Sequence, residues 1–452
     1  MKQILSKFAG DGVGARARRS AIWGIVEFGG SQTLRLAANL IMTRLLFPEA
    51  FGLMALVAVI TTGLALFSDT GVGPSIIQSA RGEDPDFLNT AWTIQAIRGV
   101  LLWLMTLVLA QPVAVLYDEP LLAQILPVAG FALLIGGLKP TSIYSVNRDL
   151  ILGRFTRITL GSQVVALIIM VFLAWYLQSV WALVIGGVIA SVLQTVAYHA
   201  FLPGVKNRLR FEREAFWQIF HFGKWLFLST AAGFLINQGD RAILGLYISL
   251  EALGIYNIGY FLASAPLLLS QALQQKVIFP LYRMKPPSES AANRAALFRA
   301  RRLLAFGLMS ITGLLGFIGP PLIEFLYDPR YTTAGAIITL FTLSLMPMIS
   351  LNTVTAAVMA AGDSRAMFII LGVTAFLQIV LLFFAVSAYG IPGTLASPGI
   401  AVLASYPLRL AYSRKYGVFD PIQDFGLTLL GFAVAGVACV LYWSEIRLLF
   451  TL

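Results

Sequence analysis

Few residues in this chain can do chemistry, and four of them line up near its start. Glu27, Ser31, Arg35 and Asn39 recur at four-residue spacing, which sets them along one face of a helix. Gln32 lies close to the same face. Glu27 and Arg35 stand two turns apart, about 12 Å, too far for an ion pair. Such a face needs polar surroundings along its whole length. Further polar groups interrupt apolar stretches: Asp69, Arg98, Lys139, the run Asn237-Gln238-Gly-Asp240-Arg241, and Gln271, Gln274, Gln275 and Lys276. Cations gathered around one cavity would attract an anion. Phosphate fits best, because a guanidinium matches its oxygens bidentately. The expected substrate-binding residues are therefore Arg35, Arg98, Lys139 and Arg241, with Asn39 and Gln238. The expected coupling-ion or buried-charge residues are Glu27, Asp69 and Asp240. Glu27 is the one acid of its helix, and a buried carboxylate can titrate near neutrality. Plainer roles stand beside these. Asp69 suits an ion pair with a basic residue on a neighbouring helix, Lys276 can snorkel, and Arg44 reads as an interfacial anchor. Asp240 and Arg241 are adjacent, so they point in different directions toward separate partners.

Helices that cross a membrane must position these residues. The chain has 452 residues, 58% hydrophobic and 12% charged, with mean hydropathy +0.82. Soluble domains carry about 25% charged residues, so a water-soluble enzyme, a disordered chain and a coiled coil are excluded. The apolar residues fall in long runs that read as thirteen spans, near 20–46, 50–77, 89–116, 120–146, 158–178, 181–202, 222–248, 252–281, 303–327, 332–361, 366–388, 393–412 and 425–444. A charge at mid-bilayer costs about 2.5–3.5 kcal/mol, so each one needs a wet cavity or a partner. Kinks are expected at Pro74 after Gly71 and Gly73, and at Pro266, Pro320–Pro321 and Pro347. The first run follows Arg16, Arg18 and Arg19. It is too long and too often interrupted for a cleaved signal peptide, and reads as a retained helix.

Orientation follows from the basic loops. With the N-terminus in the cytoplasm, 24 of the 32 Lys and Arg fall in cytoplasmic segments, against Arg330 and Arg447 outside. That asymmetry is the positive-inside rule, and it accounts for most of the net charge of +11. The chain also repeats. Phe47-Pro-Glu-Ala-Phe-Gly-Leu-Met returns as Ser249-Leu-Glu-Ala-Leu-Gly-Ile-Tyr, at an offset of 202. The same offset pairs Trp23 with Trp225, Ile41 with Ile243, Glu49 with Glu251 and Gly52 with Gly254. It also sets Arg35 opposite Asn237 and Asn39 opposite Arg241. The expected organisation is a basic tail (1–19), a first six-helix lobe (20–215), a second (216–415) and an extra C-terminal transmembrane segment (416–452). Six is even, so the repeats run parallel, related by an axis along the membrane normal. Two such lobes around a central cavity suit alternating access.

Other motifs bear on what to exclude. The chain has no phosphate-binding loop of the G-x-x-x-x-G-K-[ST] type, and Gly10–Gly14 reads as flexible tail. His199 and His221 are too isolated for a metal site or a triad. Cys439 is the sole cysteine, so no disulfide framework is possible. No cofactor, metal or nucleic-acid partner is expected. The basic loops 203–224 and 282–302, with Phe211, Phe216 and Trp217, read as contacts with anionic membrane lipids.

Two runs then carry a resemblance. Thr43-Arg-Leu-Leu-Phe-Pro-Glu-Ala-Phe-Gly-Leu followed by Asp69-Thr-Gly-Val-Gly-Pro-Ser-Ile-Ile-Gln78 resembles the opening of Wzx-type polysaccharide flippases. Asp240-Arg-Ala-Ile-Leu-Gly through Leu253-Gly-Ile-Tyr, and Phe279-Pro-Leu-Tyr, resemble the same family further on. The resemblance covers about 20–415 and implies the superfamily that includes the lipid II flippase and the MATE multidrug exporters. It implies an all-α polytopic membrane protein, about 12–14 helices in two parallel six-helix repeats, with a cationic cavity and ion-driven alternating access. It also implies a non-enzymatic transporter that moves an undecaprenyl-diphosphate-linked oligosaccharide from the cytoplasmic to the periplasmic leaflet of a bacterial inner membrane. A polysaccharide polymerase and chain-length proteins are further partners of such a system. The chain departs from its relatives in its odd number of spans. Two rivals are weighed: a MATE-like drug or cation antiporter, disfavoured by the excess of basic over acidic residues inside the spans, and a non-transporting scaffold, which has no need of buried charge.

Overall fold

The computed structural model describes residues 13–149, 151–284, 286–287 and 289–451. The start of the basic tail, 1–12, lies outside the described residues, as does the side chain of Lys276. Each of the thirteen predicted runs is helical. The helices are α1 (Val13–Leu45), α2 (Pro48–Phe67), α3 (Val72–Gln78), α4 (Pro85–Leu116), α5 (Leu121–Gly137), α6 (Ser142–Arg148), α7 (Leu152–Leu177), α8 (Trp181–Phe201) and α9 (Arg213–Leu244). There follow α10 (Leu250–Ala263), α11 (Ala265–Leu273), a π-helical turn (Gln274–Ile278), α12 (Phe279–Met284), α13 (Ala291–Leu326), α14 (Ala334–Leu351) and α15 (Thr353–Ala360). Last come α16 (Ser364–Ala404), α17 (Tyr406–Lys415), a second π-helical turn (Ile422–Leu427), α18 (Thr428–Leu441) and α19 (Trp443–Leu448). Among the described residues, eight helical stretches are long and apolar enough to cross a membrane, or up to ten if two bent pairs, α5 with α6 and α10 with α11, each count as one span, fewer than the thirteen expected.

Helix ends follow local chemistry. Pro48 and Pro85 occupy first-turn positions, where a missing N–H costs nothing. Asp84, Ser249, Ser290 and Asp363 cap the helices they precede by accepting from Asp86, Ala252, Asn293 and Ala366 N–H groups. The second predicted run is broken rather than merely kinked. Gly71 adopts φ 67°, a left-handed conformation that favours glycine, and separates α2 from α3. The α10–α11 bend of 41° falls at Pro266. Gly390, at φ 56° and ψ −131°, interrupts α16, so the two apolar runs expected there are separate helical pieces.

Contacts divide the chain into two compact units, residues 1–47 with 57–230, and residues 48–56 with 231–452. The division falls inside α9. In unit 1, α4 packs on α5, and α7 packs on both α1 and α8. Gly99 and Gly137 let α4 and α5 approach until a Cβ on either would press on the other's Cα, at 2.9 and 2.8 Å. Unit 2 is built around α14, nearly every residue of which is buried against α10, α13, α16 and α18. The C-terminal α18 therefore packs within unit 2.

Unit 2 also contains a reciprocal crossing. A Cβ on Gly52 would collide with the carbonyl oxygen of Leu250, and one on Gly254 with that of Pro48. Pro48 and Leu250, like Gly52 and Gly254, are partners at the offset of 202. The first turns of α2 and α10 thus meet face to face, each glycine on the other helix's opening carbonyl.

Candidate functional site

The polar face of α1 meets α7 and α8 in unit 1. Ser31 Oγ donates to Gln163 Oε1 at 3.0 Å, and Arg35 Nη1 to Gln32 Oε1 at 3.3 Å. Between these helices lies a cavity of about 310 Å³, lined by Arg35, Ser162, Gln163, Ser191 and Gln194 among apolar neighbours including Leu34 and Met170. Gln194 ties in a second cation, because Lys139 Nζ donates to its Oε1 at 2.7 Å. Arg35 of α1 thus lines a cleft whose wall, among the described residues, holds amides and hydroxyls but no carboxylate, and Lys139, just past the end of α5, is linked to it through Gln194. The chemistry fits an anion: one guanidinium with amide and hydroxyl groups in an otherwise apolar wall, and a lysine held by one of those amides. Glu27 lies further along α1, within electrostatic reach of Tyr198. Asn39 belongs to the same helix face and also has interaction partners.

Arg98 is elsewhere. Its Nε donates to Ser68 Oγ at 2.9 Å and its Nη2 to the Ala65 carbonyl. A guanidinium there satisfies the open end of α2 and its negative dipole end. Asp69, the next residue, accepts from Gly71 N–H at 3.0 Å, shaping the turn into α3, and acts electrostatically on Arg98. The structure does not bring Arg98 to the lining of the unit 1 cleft, because the break after Phe67 exposes carbonyls that attract it first.

In unit 2, Asp240 and Arg241 do find separate partners, and these are consecutive residues of α10. Tyr256 Oη donates to Asp240 Oδ2 at 2.6 Å, and Arg241 Nε donates to Asn257 Oδ1 at 2.9 Å. Arg241 also reaches Gln238 Oε1 at 3.3 Å and stacks its guanidinium 4.3 Å above the Tyr260 ring, a cation–π contact. The Asp240 and Arg241 charges approach to 4.0 Å. Beside them is a cavity of about 280 Å³, lined by Asn237, Asp240, Tyr260, Gln271, Gln378 and Arg409 among others. Arg409 is 2% exposed and donates to Ser405 Oγ, Asn352 Oδ1 and Thr374 Oγ1 at 3.0, 3.0 and 3.1 Å. This cavity therefore mixes one acid with one cation.

Two of the arginines counted among the cytoplasmic loops are in fact buried: Arg409, and Arg301 at 0% exposure. Hydropathy had placed both at span ends, and only tertiary packing encloses them. The sequence carried one signal for Arg301, its place next to Arg302 where a helix continues into apolar residues. Among the described residues, no three His, Cys, Asp or Glu side chains gather as a metal site. His199 and His221 each face a backbone carbonyl at 2.8 Å.

Comparison with known proteins agrees with this architecture. Residues 41–336 match the family described as polysaccharide biosynthesis protein. The teichuronic acid biosynthesis protein TuaB of Bacillus subtilis is 24% identical over 55% of this chain, a match that spans about half (51%) of that relative. The succinoglycan biosynthesis transport protein ExoT of Rhizobium meliloti is 20% identical, over 77% of this chain and 70% of its own length. Among solved structures, the lipid II flippase MurJ in an inward closed conformation aligns with TM-score 0.66 and 16% identity, covering 94% of this chain and all of that one (100%). The chain thus shares the fold of that structure and is a multi-pass membrane protein, as the resemblance implied.

Proposed function

Because the chain belongs to the polysaccharide biosynthesis protein family, we propose that it flips lipid-linked oligosaccharides across a bacterial inner membrane. The substrate class is a polyprenyl diphosphate carrying a sugar repeat unit. The proposed direction is from the cytoplasmic to the outer leaflet, with the N-terminus in the cytoplasm, and the repeats 20–215 and 216–415 serve as the moving lobes. One observation carries the substrate reading: the unit 1 cleft, lined by Arg35, Gln163 and Gln194 with no acid among its described lining residues, and with Lys139 bonded to Gln194. A diphosphate brings negative charge and acceptor oxygens to that cleft, while the prenyl tail stays in the lipid. Arg241 is largely occupied by Asn257, Gln238 and the Tyr260 ring, which leaves it a secondary contact at most. Arg98 supports the lobe by closing the end of α2. Asn39 extends the polar face of α1 beyond the cleft.

The cycle is ion-driven alternating access. Of the three acids considered from sequence, Asp69 shapes a turn, and Asp240 accepts from Tyr256 through Oδ2 while its Oδ1 is buried without a hydrogen-bond partner. Glu27 is the acid on the substrate-facing helix. Anionic lipids contact the exposed basic and aromatic residues Arg208, Arg210, Phe211 and Trp217, and a polymerase and chain-length proteins complete the pathway. The test is to replace Arg35 and Lys139 singly by Ala and by the other cation, and to measure polymer at the cell surface against protein level. Losing one charge-assisted hydrogen bond is worth about 1.5–3 kcal/mol, so each Ala variant should lower export roughly tenfold or more, and Arg35→Lys less. Normal export by both Ala variants at normal abundance removes the cleft from the mechanism.

A further inference from the structure

The two π-helical turns, Gln274–Ile278 and Ile422–Leu427, pack against the same helix, α13. Such turns are rare and gather at functional sites. Here they border a buried polar cluster that the substrate reading leaves unused. Arg301 of α13 is its centre. Its Nη1 donates to the Val418 carbonyl at 2.6 Å and its Nη2 to Thr353 Oγ1 at 2.7 Å. Gln423 Nε2 donates to that same hydroxyl at 3.0 Å and to the Ser350 carbonyl at 2.9 Å. Asp424, 4% exposed, accepts from Tyr406 Oη at 3.3 Å through Oδ2 and feels the charge of Arg301. Tyr282 of α12, also 4% exposed, faces Arg301.

Four atoms of this cluster are buried without a protein partner: Tyr282 Oη, Arg301 Nε, Gln423 Oε1 and Asp424 Oδ1. They comprise one fixed donor, one hydroxyl and two acceptor oxygens. That is the complement of water, which donates twice and accepts twice, and buried water takes such positions. A metal cation would suit the three oxygens but not the guanidinium beside them, which stays charged at any physiological pH.

We propose that these groups hold water against Asp424, and that Asp424 is the carboxylate that takes up and releases the coupling proton. This rests on the ion-driven part of the reading above. The step makes one O–H bond and moves no electrons: a proton arriving through water converts the carboxylate to the neutral acid, and its departure reverses this. Among the described residues, the charged or titratable groups facing Asp424 fit this role. Arg301 approaches from α13, Tyr282 from α12 and Tyr406 from α17, while α14 and α15 offer only the hydroxyls and carbonyls of Ser350 and Thr353. On its own segment Asp420 is neutralised by Arg302, with two contacts at 2.7 Å. Arg302 is 34% exposed, so solvent comes within one residue of the cluster, at the end of α13 that the proposed orientation sets in the cytoplasm. Protonation changes the Asp424–Arg301 pair from neutral to positive at the tether between α13, α15 and the C-terminal segment. That gives the proton mechanical leverage on unit 2.

The test is infrared difference spectroscopy of the purified full chain in lipid vesicles, stepped in pH, in sodium and in choline salts. A protonated-carboxyl band should grow as pH falls, vanish in Asp424→Asn, shift in Asp424→Glu and ignore sodium. A band that persists in folded Asp424→Asn, or that sodium suppresses, overturns the proposal. Should Asp424→Asn not fold, an unmoved band in Asp424→Glu overturns it equally. No lipid-linked substrate is present, so this result is independent of whether the parent protein flips oligosaccharides.

Discussion

Replacing Gly52 and Gly254 by Ala, singly and together, tests the reciprocal crossing of α2 and α10. Either Cβ would land far inside contact distance of a backbone oxygen, and backbone cannot swing aside as a side chain does. The Gly254 Cβ would also lie 3.1 Å from the Gly52 nitrogen. The helices must then part by about 1 Å or more to recover ordinary separations near 3.5 Å. Overpacking of this kind costs about 1–3 kcal/mol, and a rigid backbone contact belongs at the upper end. Against it stands the helix-propensity gain of Gly→Ala, about 1 kcal/mol. Each single variant should therefore lose about 2 kcal/mol. The double variant should lose about 1 kcal/mol, less than either single, because helices already parted accept the second methyl and keep its propensity gain. The resulting coupling energy of about 3 kcal/mol lies at the upper end of the range for residues in contact. The assay is unfolding free energy in mixed micelles for the four proteins of the cycle. Gly187→Ala, where a Cβ meets open space, serves as the control and should gain about 1 kcal/mol. Additivity to within about 0.5 kcal/mol, or a neutral single variant, refutes the geometry.

Two further outcomes are specific. Arg98→Ala removes the group that closes α2 through Ser68 and Ala65 and should cost about 1–2 kcal/mol of stability. Its export, normalised to folded protein, should stay near the parent's, whereas a large normalised loss would return Arg98 to the substrate path. Asp363 accepts from Tyr416 Oη at 2.5 Å, from Ala366 N–H at 2.9 Å and from Lys415 Nζ at 3.1 Å. Tyr416 above all, with these other donors, holds its carboxyl down at about 2 from an ordinary 3.8. A depressed folded-state value stabilises fully above about pH 4 and is lost as pH falls from there through about 2. Asp363→Asn should flatten that acid limb in thermal melts run between pH 7 and 2, and unchanged slopes would show the contacts do not persist in solution.

The all-helical membrane architecture was legible because hydropathy over some twenty residues is a strong, local signal, although eight to ten stretches among the described residues, not thirteen, are long and apolar enough to cross, and the offset of 202 pairs the two glycines that meet where α2 crosses α10. What escaped depends on contacts between segments distant in sequence. Arg301 and Arg409 looked like loop charges since each sits at the end of an apolar run. Nothing local announces that Thr353 and Val418 will close around one, or Asn352, Thr374 and Ser405 around the other. Arg98 misled in the opposite direction: a cation deep in a span suggested substrate, and its partner is a carbonyl end created by the break at Gly71. Asp424 stands one residue outside the last apolar run, 425–444, where hydropathy gives it no weight. The pattern has a physical root. Sequence spacing reports which face of a helix is polar, as it did for Glu27 to Asn39, but the meaning of a buried charge is set by what lies opposite. For Arg35 that is a cleft with no acid among its described lining residues, for Arg98 a helix end, and for Arg301 the Val418 carbonyl and the Thr353 hydroxyl. Function therefore turns on what each buried charge faces once the helices have packed.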